Sequence, residues 1–186
     1  MQKYSSFTLP LFLCLLLSSC GYRLGHGPLS NKYRGISVPI VYGDHTGSFT
    51  RELIQTLNVN GYCYENCDSP LELRVKILHI RDENIGFRYD RDKEGKITNS
   101  IVPAETRRTA TAEVTLLDNA SCCPVLGPSI LKASVSFDHD YNSSRNGINV
   151  FSLGQLTDVY EARDASIDPL NQRLAQKIVD YLSSVW

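Results

Sequence analysis

Three stretches of strict apolar–polar alternation decide what this sequence can fold into. In the first, Leu71, Leu73, Val75 and Ile77 alternate with Glu72, Arg74 and Lys76. In the second, Ala110, Ala112, Val114 and Leu116 alternate with Thr109, Thr111, Glu113 and Thr115, and in the third Leu131, Ala133, Val135 and Phe137 alternate with Lys132, Ser134 and Ser136. A period of two puts successive side chains on opposite faces of a strand, so each stretch buries one face and wets the other. The links between them are the charged turn at 90–96 (DRDKEGK) and the Pro- and Gly-bearing stretch at 124–128. Both are too short for the crossover that parallel neighbours need, so the three strands form an antiparallel meander. Within the first strand, Leu78 and Ile80 shift the phase, which predicts a β-bulge, with Ile85, Phe87 and Tyr89 continuing the strand.

Helical spacing brackets the meander. Phe49, Leu53, Ile54 and Leu57 recur every three to four residues, with Ser48 as N-cap and Asn60-Gly61 as the C-terminal stop. At the other end Leu170, Leu174, Ile178, Leu182 and Val185 make an apolar stripe opposite Gln172, Arg173, Gln176, Lys177 and Asp180, and Leu153, Leu156 and Tyr160 extend the same spacing upstream. Pro169 either kinks one long helix or starts a new one capped by Asp168. Ahead of the first helix, residues 36–41 (ISVPIV) are rich in β-branched side chains and read as a further strand, edged or ended by Pro39.

The resulting order, β-α-β-β-β-α, is an α+β two-layer sandwich: a mixed four-stranded sheet with two amphipathic helices packed on one face. The other sheet face, lined by Thr, Lys and Arg, is too polar for a second core and is the surface to inspect for a partner. The 186 residues allow one ordinary domain. With 19 Lys and Arg against 20 Asp and Glu, the net charge of −1 gives no global footprint for nucleic acid, so any anion recognition is local.

The start of the chain sets the compartment. Lys3 precedes an apolar run from Phe7 to Leu17, well short of the roughly 20 residues needed to span a bilayer. It ends in Leu17-Ser18-Ser19-Cys20, the pattern of a bacterial lipoprotein signal: small residues for the peptidase, then a cysteine whose thiol receives a diacylglyceryl group. On this reading residues 1–19 are removed and residues 20–186 form a single periplasmic domain tethered by acyl chains at Cys20, two of which already suffice for stable attachment. Gly21, rather than Asp, after the cysteine favours sorting to the outer membrane. Of the remaining cysteines, Cys14 leaves with the signal, and Cys63, Cys67, Cys122 and Cys123 form an even set suited to two disulfides in an oxidising compartment. Adjacent Cys122 and Cys123 bridge each other only with strain, which favours bonds between the two pairs. A zinc site from all four fits poorly, because zinc knuckles keep two to four residues between ligands.

Cys20-Gly21-Tyr22-Arg23-Leu24, then Ile36-Ser37-Val38-Pro39 leading through Thr46 into the Phe49/Leu53/Leu57 helix, resembles the LptE-type lipopolysaccharide-assembly lipoproteins of Gram-negative outer membranes. The Thr-rich strand ending in Leu117-Asp118, the strand closing near Tyr141 and the terminal segment 173–179 (RLAQKIV) fit the same pattern, so the resemblance spans nearly the whole chain after the signal. The cysteine-bearing segments and Pro169 depart from it. The resemblance implies a non-enzymatic protein, held at the periplasmic face of the outer membrane, that assembles and plugs an LptD-type β-barrel and contacts lipopolysaccharide, with no cofactor. The alternative is a structural envelope lipoprotein disulfide-linked to other envelope proteins.

Lipopolysaccharide carries phosphates and carboxylates, which call for Arg or Lys on a rigid strand. Arg74 and Lys76 share the wet side of one strand and Arg107-Arg108 opens the next, making these four the candidate ligand-binding residues against the plainer reading of solubilising charges. Asp138-His139-Asp140 is a poor metal site: on a strand only Asp138 and Asp140 converge, and no second ligand cluster follows. The sequence contains no G-x-S-x-G elbow, G-x-G-x-x-G or phosphate loop, so enzymatic activity is not expected. Asn119-Ala120-Ser121 and Asn142-Ser143-Ser144 match the glycosylation pattern but carry no weight in a bacterial lipoprotein.

Overall fold

The computed structural model describes residues 35–66, 69–91, 94–139 and 159–184. The expected signal segment, Cys20, Cys67, Asp140, Leu153, Leu156 and Val185 lie outside them. The elements are β1 (Gly35–Ser37), α1 (Ser48–Val59), β2 (Cys63–Tyr64), β3 (Leu71–Arg91), β4 (Ile97–Asp118), β5 (Cys123–Asp138), α2 (Val159–Ala165) and α3 (Ile167–Ser184). They form one mixed sheet in the order β2-β1-β3-β4-β5, parallel across β2, β1 and β3 and antiparallel across β3, β4 and β5.

The expected α+β two-layer architecture is the observed one, with one strand more than alternation predicts. That strand, β2, is two residues long and too short to display a period. Conversely β1 stops at Ser37, before Pro39, because the missing N–H of proline ends the ladder; the chain returns to the sheet only through a bridge from Tyr42 to Lys76. The meander is as read, and the bulge appears between Ile77 and His79.

The buried faces match the pattern. Leu71, Leu73 and Val75 of β3, Ala110, Ala112, Val114 and Leu116 of β4, and Ala133 and Val135 of β5 meet Phe49, Leu53 and Leu57 of α1 and Leu170, Leu174, Ile178 and Leu182 of α3 in a single core. Each large side chain taken out of water stabilises the fold by about 1.5–3 kcal/mol before entropy is charged. Ala110, Ala112 and Ala133 on the sheet and Ala175 on α3 keep the layers close. Polar ties fix their relative angle: Tyr181 and Ser129 share a hydroxyl hydrogen bond of 2.6 Å, and Arg173 donates to the Ser134 carbonyl at 2.8 Å.

Both helix ends differ in detail from expectation. Gly47, at φ 71°, takes the N-cap position of α1 and provides no side chain, so Ser48 becomes the first helical residue. The cap comes from further back: Asp44 Oδ2 accepts from the Thr50 amide at 2.7 Å and from its hydroxyl at 2.8 Å. At the C-terminal end the chain breaks at Ser166, and Pro169 sits in the first turn of α3, where a missing amide costs nothing. No helix among the described residues is long and apolar enough to cross a membrane.

Candidate anion-binding face

The helices cover one side of the sheet, and the register fixes what the other side presents. Reading across β3, β4 and β5, the outward residues form rows: Lys76, Glu113 and Ile130; then His79, Thr111 and Lys132; then Arg81, Thr109 and Ser134; then Glu83, Arg107 and Ser136. The two central rows hold only cationic, imidazole and hydroxyl side chains. Their carboxylates are confined to the flanking rows, where Glu113 stands opposite Lys76 and Glu83 opposite Arg107. Thr109 and Ser134, half-buried between Arg81 and Lys132, can donate hydroxyl hydrogen bonds to an oxyanion, whereas Thr111 is 3% exposed.

Three of the four sequence-derived candidates share this face. Arg74 is exposed but ion-paired with Glu72 on its own strand, and Lys76 lies 5.3 Å from the centroid of the exposed Tyr42 ring. Arg107 is exposed in the third of the strand rows that follow Lys76.

Arg108 leaves the set. Being adjacent to Arg107 on a strand it points the opposite way, into the helix layer, and is 9% exposed. Its Nη1 donates to the Arg163 carbonyl at 2.7 Å and to Ser166 Oγ at 3.3 Å. Its Nε lies 3.4 Å from Asp82 Oδ1 without hydrogen-bond geometry, while the other Asp82 oxygen pairs with Arg163 Nε at 3.0 Å. The guanidinium thus caps the C-terminal end of α2 from the sheet, satisfying one of the carbonyls that a helix end leaves without a donor.

Arg81 and Lys132 were missed by sequence reasoning. The bulge after Ile77 is what turns His79, Arg81 and Glu83 outward, and only the pairing of Thr111 with Lys132 brings β5 alongside them. The phase shift at Leu78 and Ile80 was the available signal, but strand neighbours cannot be read from one strand.

The surface changes character toward the end of the β3–β4 ribbon. β5 finishes opposite Glu105, so β3 and β4 run on as a two-stranded extension. Here Phe87 pairs with Pro103 and Tyr89 with Ile101, on the side away from the buried Val102, and Phe87, Tyr89 and Ile101 are all exposed. Beyond the cationic rows, past the register shifts at Asn84/Gly86 and Gly86/Phe87, the ribbon therefore ends in exposed apolar side chains.

Asp138, His139 and the cysteines have other settings. His139 is buried; Thr106 donates its hydroxyl to Asn84 Oδ1 at 2.9 Å and so accepts from His139 Nε2 at 2.8 Å, which puts the ring proton on Nε2 and leaves Nδ1 without a partner. Among the described residues no group of three His, Cys, Asp or Glu could hold a metal. Cys63, Cys122 and Cys123 are exposed and unbonded. A shallow cleft between Ile40, His45, Arg51 and Ile54 surrounds Asp44, whose carboxylate already occupies the α1 N-terminus. Partial burial pushes the Asp44 carboxyl up, but the hydrogen bonds from Thr50, Gly47 and Thr46 outweigh it and hold its pKa below the ordinary aspartate value.

No protein-family profile and no curated protein sequence matches the chain. Among solved structures it is similar to a minor lipoprotein from Acinetobacter baumannii, at 17% identity and a TM-score of 0.50, covering 82% of this chain and 92% of that one. It also resembles the rare lipoprotein B from Shewanella oneidensis (13% identity, TM-score 0.47, 81% and 95% covered) and a lipoprotein B from Nitrosomonas europaea (11%, 0.48, 82% and 84%). At these identities the likeness is one of fold: the α+β sheet with helices on one face is shared with the Acinetobacter lipoprotein.

Proposed function

We propose that this chain is an exported lipoprotein, acylated at Cys20 and held at the periplasmic face of the outer membrane, that assists the assembly of an LptD-type β-barrel and passes lipopolysaccharide along the sheet face opposite its described helices. It catalyses no reaction on the lipid it carries. The observation that carries this reading is the Leu17-Ser18-Ser19-Cys20 signal placed ahead of a domain with the fold of the Acinetobacter lipoprotein. The face supports it: Arg81, Arg107 and Lys132, with Lys76 beside them, suit phosphates, and the exposed Phe87, Tyr89 and Ile101 suit the acyl portion of the same amphiphile.

The role of partner is tested by purifying the acylated protein from detergent-solubilised envelopes; a large β-barrel in stoichiometric amount is expected, and its absence would remove the assembly role. The ligand is tested separately, by binding of purified lipopolysaccharide to the Arg81→Glu/Lys132→Glu chain. Two reversed charges on the face should weaken binding at least about tenfold, the equivalent of about 1.4 kcal/mol, and equal binding would clear the face of that role.

A further inference from the structure

The sheet register decides which cysteines can meet. Cys63 sits opposite Gly35 on β2, at one edge, and Cys123 opposite Asp118 on β5, at the other. Four inter-strand steps of about 4.8 Å separate them by about 19 Å, whereas a disulfide needs Cα atoms within about 7 Å. Cys122, the neighbour of Cys123, is excluded with it. A bond between Cys122 and Cys123 themselves would close a strained ring across a single peptide, at a hairpin turn where Cys123 is already fixed in the ladder with Asp118. With Cys14 removed and Cys20 acylated on the export reading, the remaining cysteine, Cys67, has one sulfur and can consume only one of the pair. At least one thiol at the β4–β5 hairpin therefore has no partner within the chain.

We infer that this hairpin end is a covalent attachment point, at which Cys122 or Cys123 joins a second polypeptide through an intermolecular disulfide. Both side chains are exposed, and they project from the end of an edge strand where another chain can approach without displacing the core. The partner is a protein carrying a reactive disulfide. The hairpin thiolate attacks one of its sulfurs; the new S–S bond links the two chains, the displaced sulfur leaves as a thiolate and takes up a proton, and the number of disulfides is unchanged. This rests on the export reading above, since thiols in a reducing cytosol stay reduced. It is compatible with the lipopolysaccharide role, because the hairpin lies at the end of the sheet opposite the apolar ribbon.

The test uses the full chain in its own cell envelope. Free thiols are blocked with N-ethylmaleimide before lysis, and the protein is then resolved without reductant and its peptides mapped by mass spectrometry. The expected result is a larger species that collapses on reduction, a cross-linked peptide containing Cys122 or Cys123, and loss of that species in Cys122→Ser/Cys123→Ser but not in Cys63→Ser. Recovery of both hairpin cysteines alkylated, bonded to one another, or bonded only within the chain would overturn the inference while an acylated Cys20 peptide left the export reading intact. A chain found in the cytosol with residues 1–19 still attached would remove both.

Discussion

Replacing Arg108 with alanine should be far more damaging than the same change at Arg107, although the two are neighbours in sequence. Arg108→Ala deletes a charged donor that is 9% exposed and makes a 2.7 Å bond to the Arg163 carbonyl and a longer one to Ser166 Oγ. A hydrogen bond from a charged group contributes about 1.5–3 kcal/mol, and stranding its buried acceptor adds to that. Two factors reduce the loss: Ser166 Oγ continues to donate to the Arg163 carbonyl, and Asp82 keeps its ion pair with Arg163. The balance is about 2–4 kcal/mol, a large part of the roughly 5–15 kcal/mol that holds a domain together. For a domain of this size it lowers the melting temperature by about 5–15 °C. Arg107→Ala, exposed on the outer face, should fall within about 0.5 kcal/mol of the parent. Urea unfolding followed by circular dichroism measures both. Equal destabilisation by the two substitutions, or a cost below about 0.5 kcal/mol for Arg108→Ala, would refute the assignment of Arg108 to the α2 cap.

Asp44 gives the chain an acid-sensitive component of stability. Its folded-state pKa is depressed, so its contribution is complete above the unfolded value of about 3.9 and is lost as the pH falls through the folded one. Asp44→Ala should cost about 1 kcal/mol at pH 7, and the gap between variant and parent in urea unfolding should narrow as the pH falls below the unfolded value. Gly127, at φ 84°, lies where an added Cβ would strike the Val114 carbonyl, whereas Gly47, at φ 71°, has open space around it. Gly127→Ala should therefore lose about 2 kcal/mol or more and Gly47→Ala about 1 kcal/mol; equal thermal shifts would show that the clash is relieved by backbone movement. If the central rows of the outer face bind phosphates, affinity for purified lipopolysaccharide should fall as salt rises from about 0.05 to 0.5 M, because exposed charges are screened over that range. Salt-independent binding would assign the contact to apolar surface.

The sequence by itself determined the layer architecture, the antiparallel meander and the two buried helix stripes, because a period of two at Leu71–Ile77 or Ala110–Leu116 and a period near four at Leu170–Leu182 each have one way to hide their apolar side. It also exposed the bulge, since Leu78 and Ile80 break a local rule that one strand is enough to reveal. Only the tertiary structure decided which polar residues share a surface. The alternation at Arg107-Arg108 already meant that the pair could not face the same way, yet which one went inward depended on α2 ending above Arg108 and offering it a carbonyl. Arg81 and Lys132 became neighbours through β3–β4–β5 register, and Cys63 was parted from Cys123 by the insertion of β1, β3 and β4 between them. Burial is a property each segment carries in its own pattern, whereas adjacency across a sheet is set by strand order, which no single segment encodes.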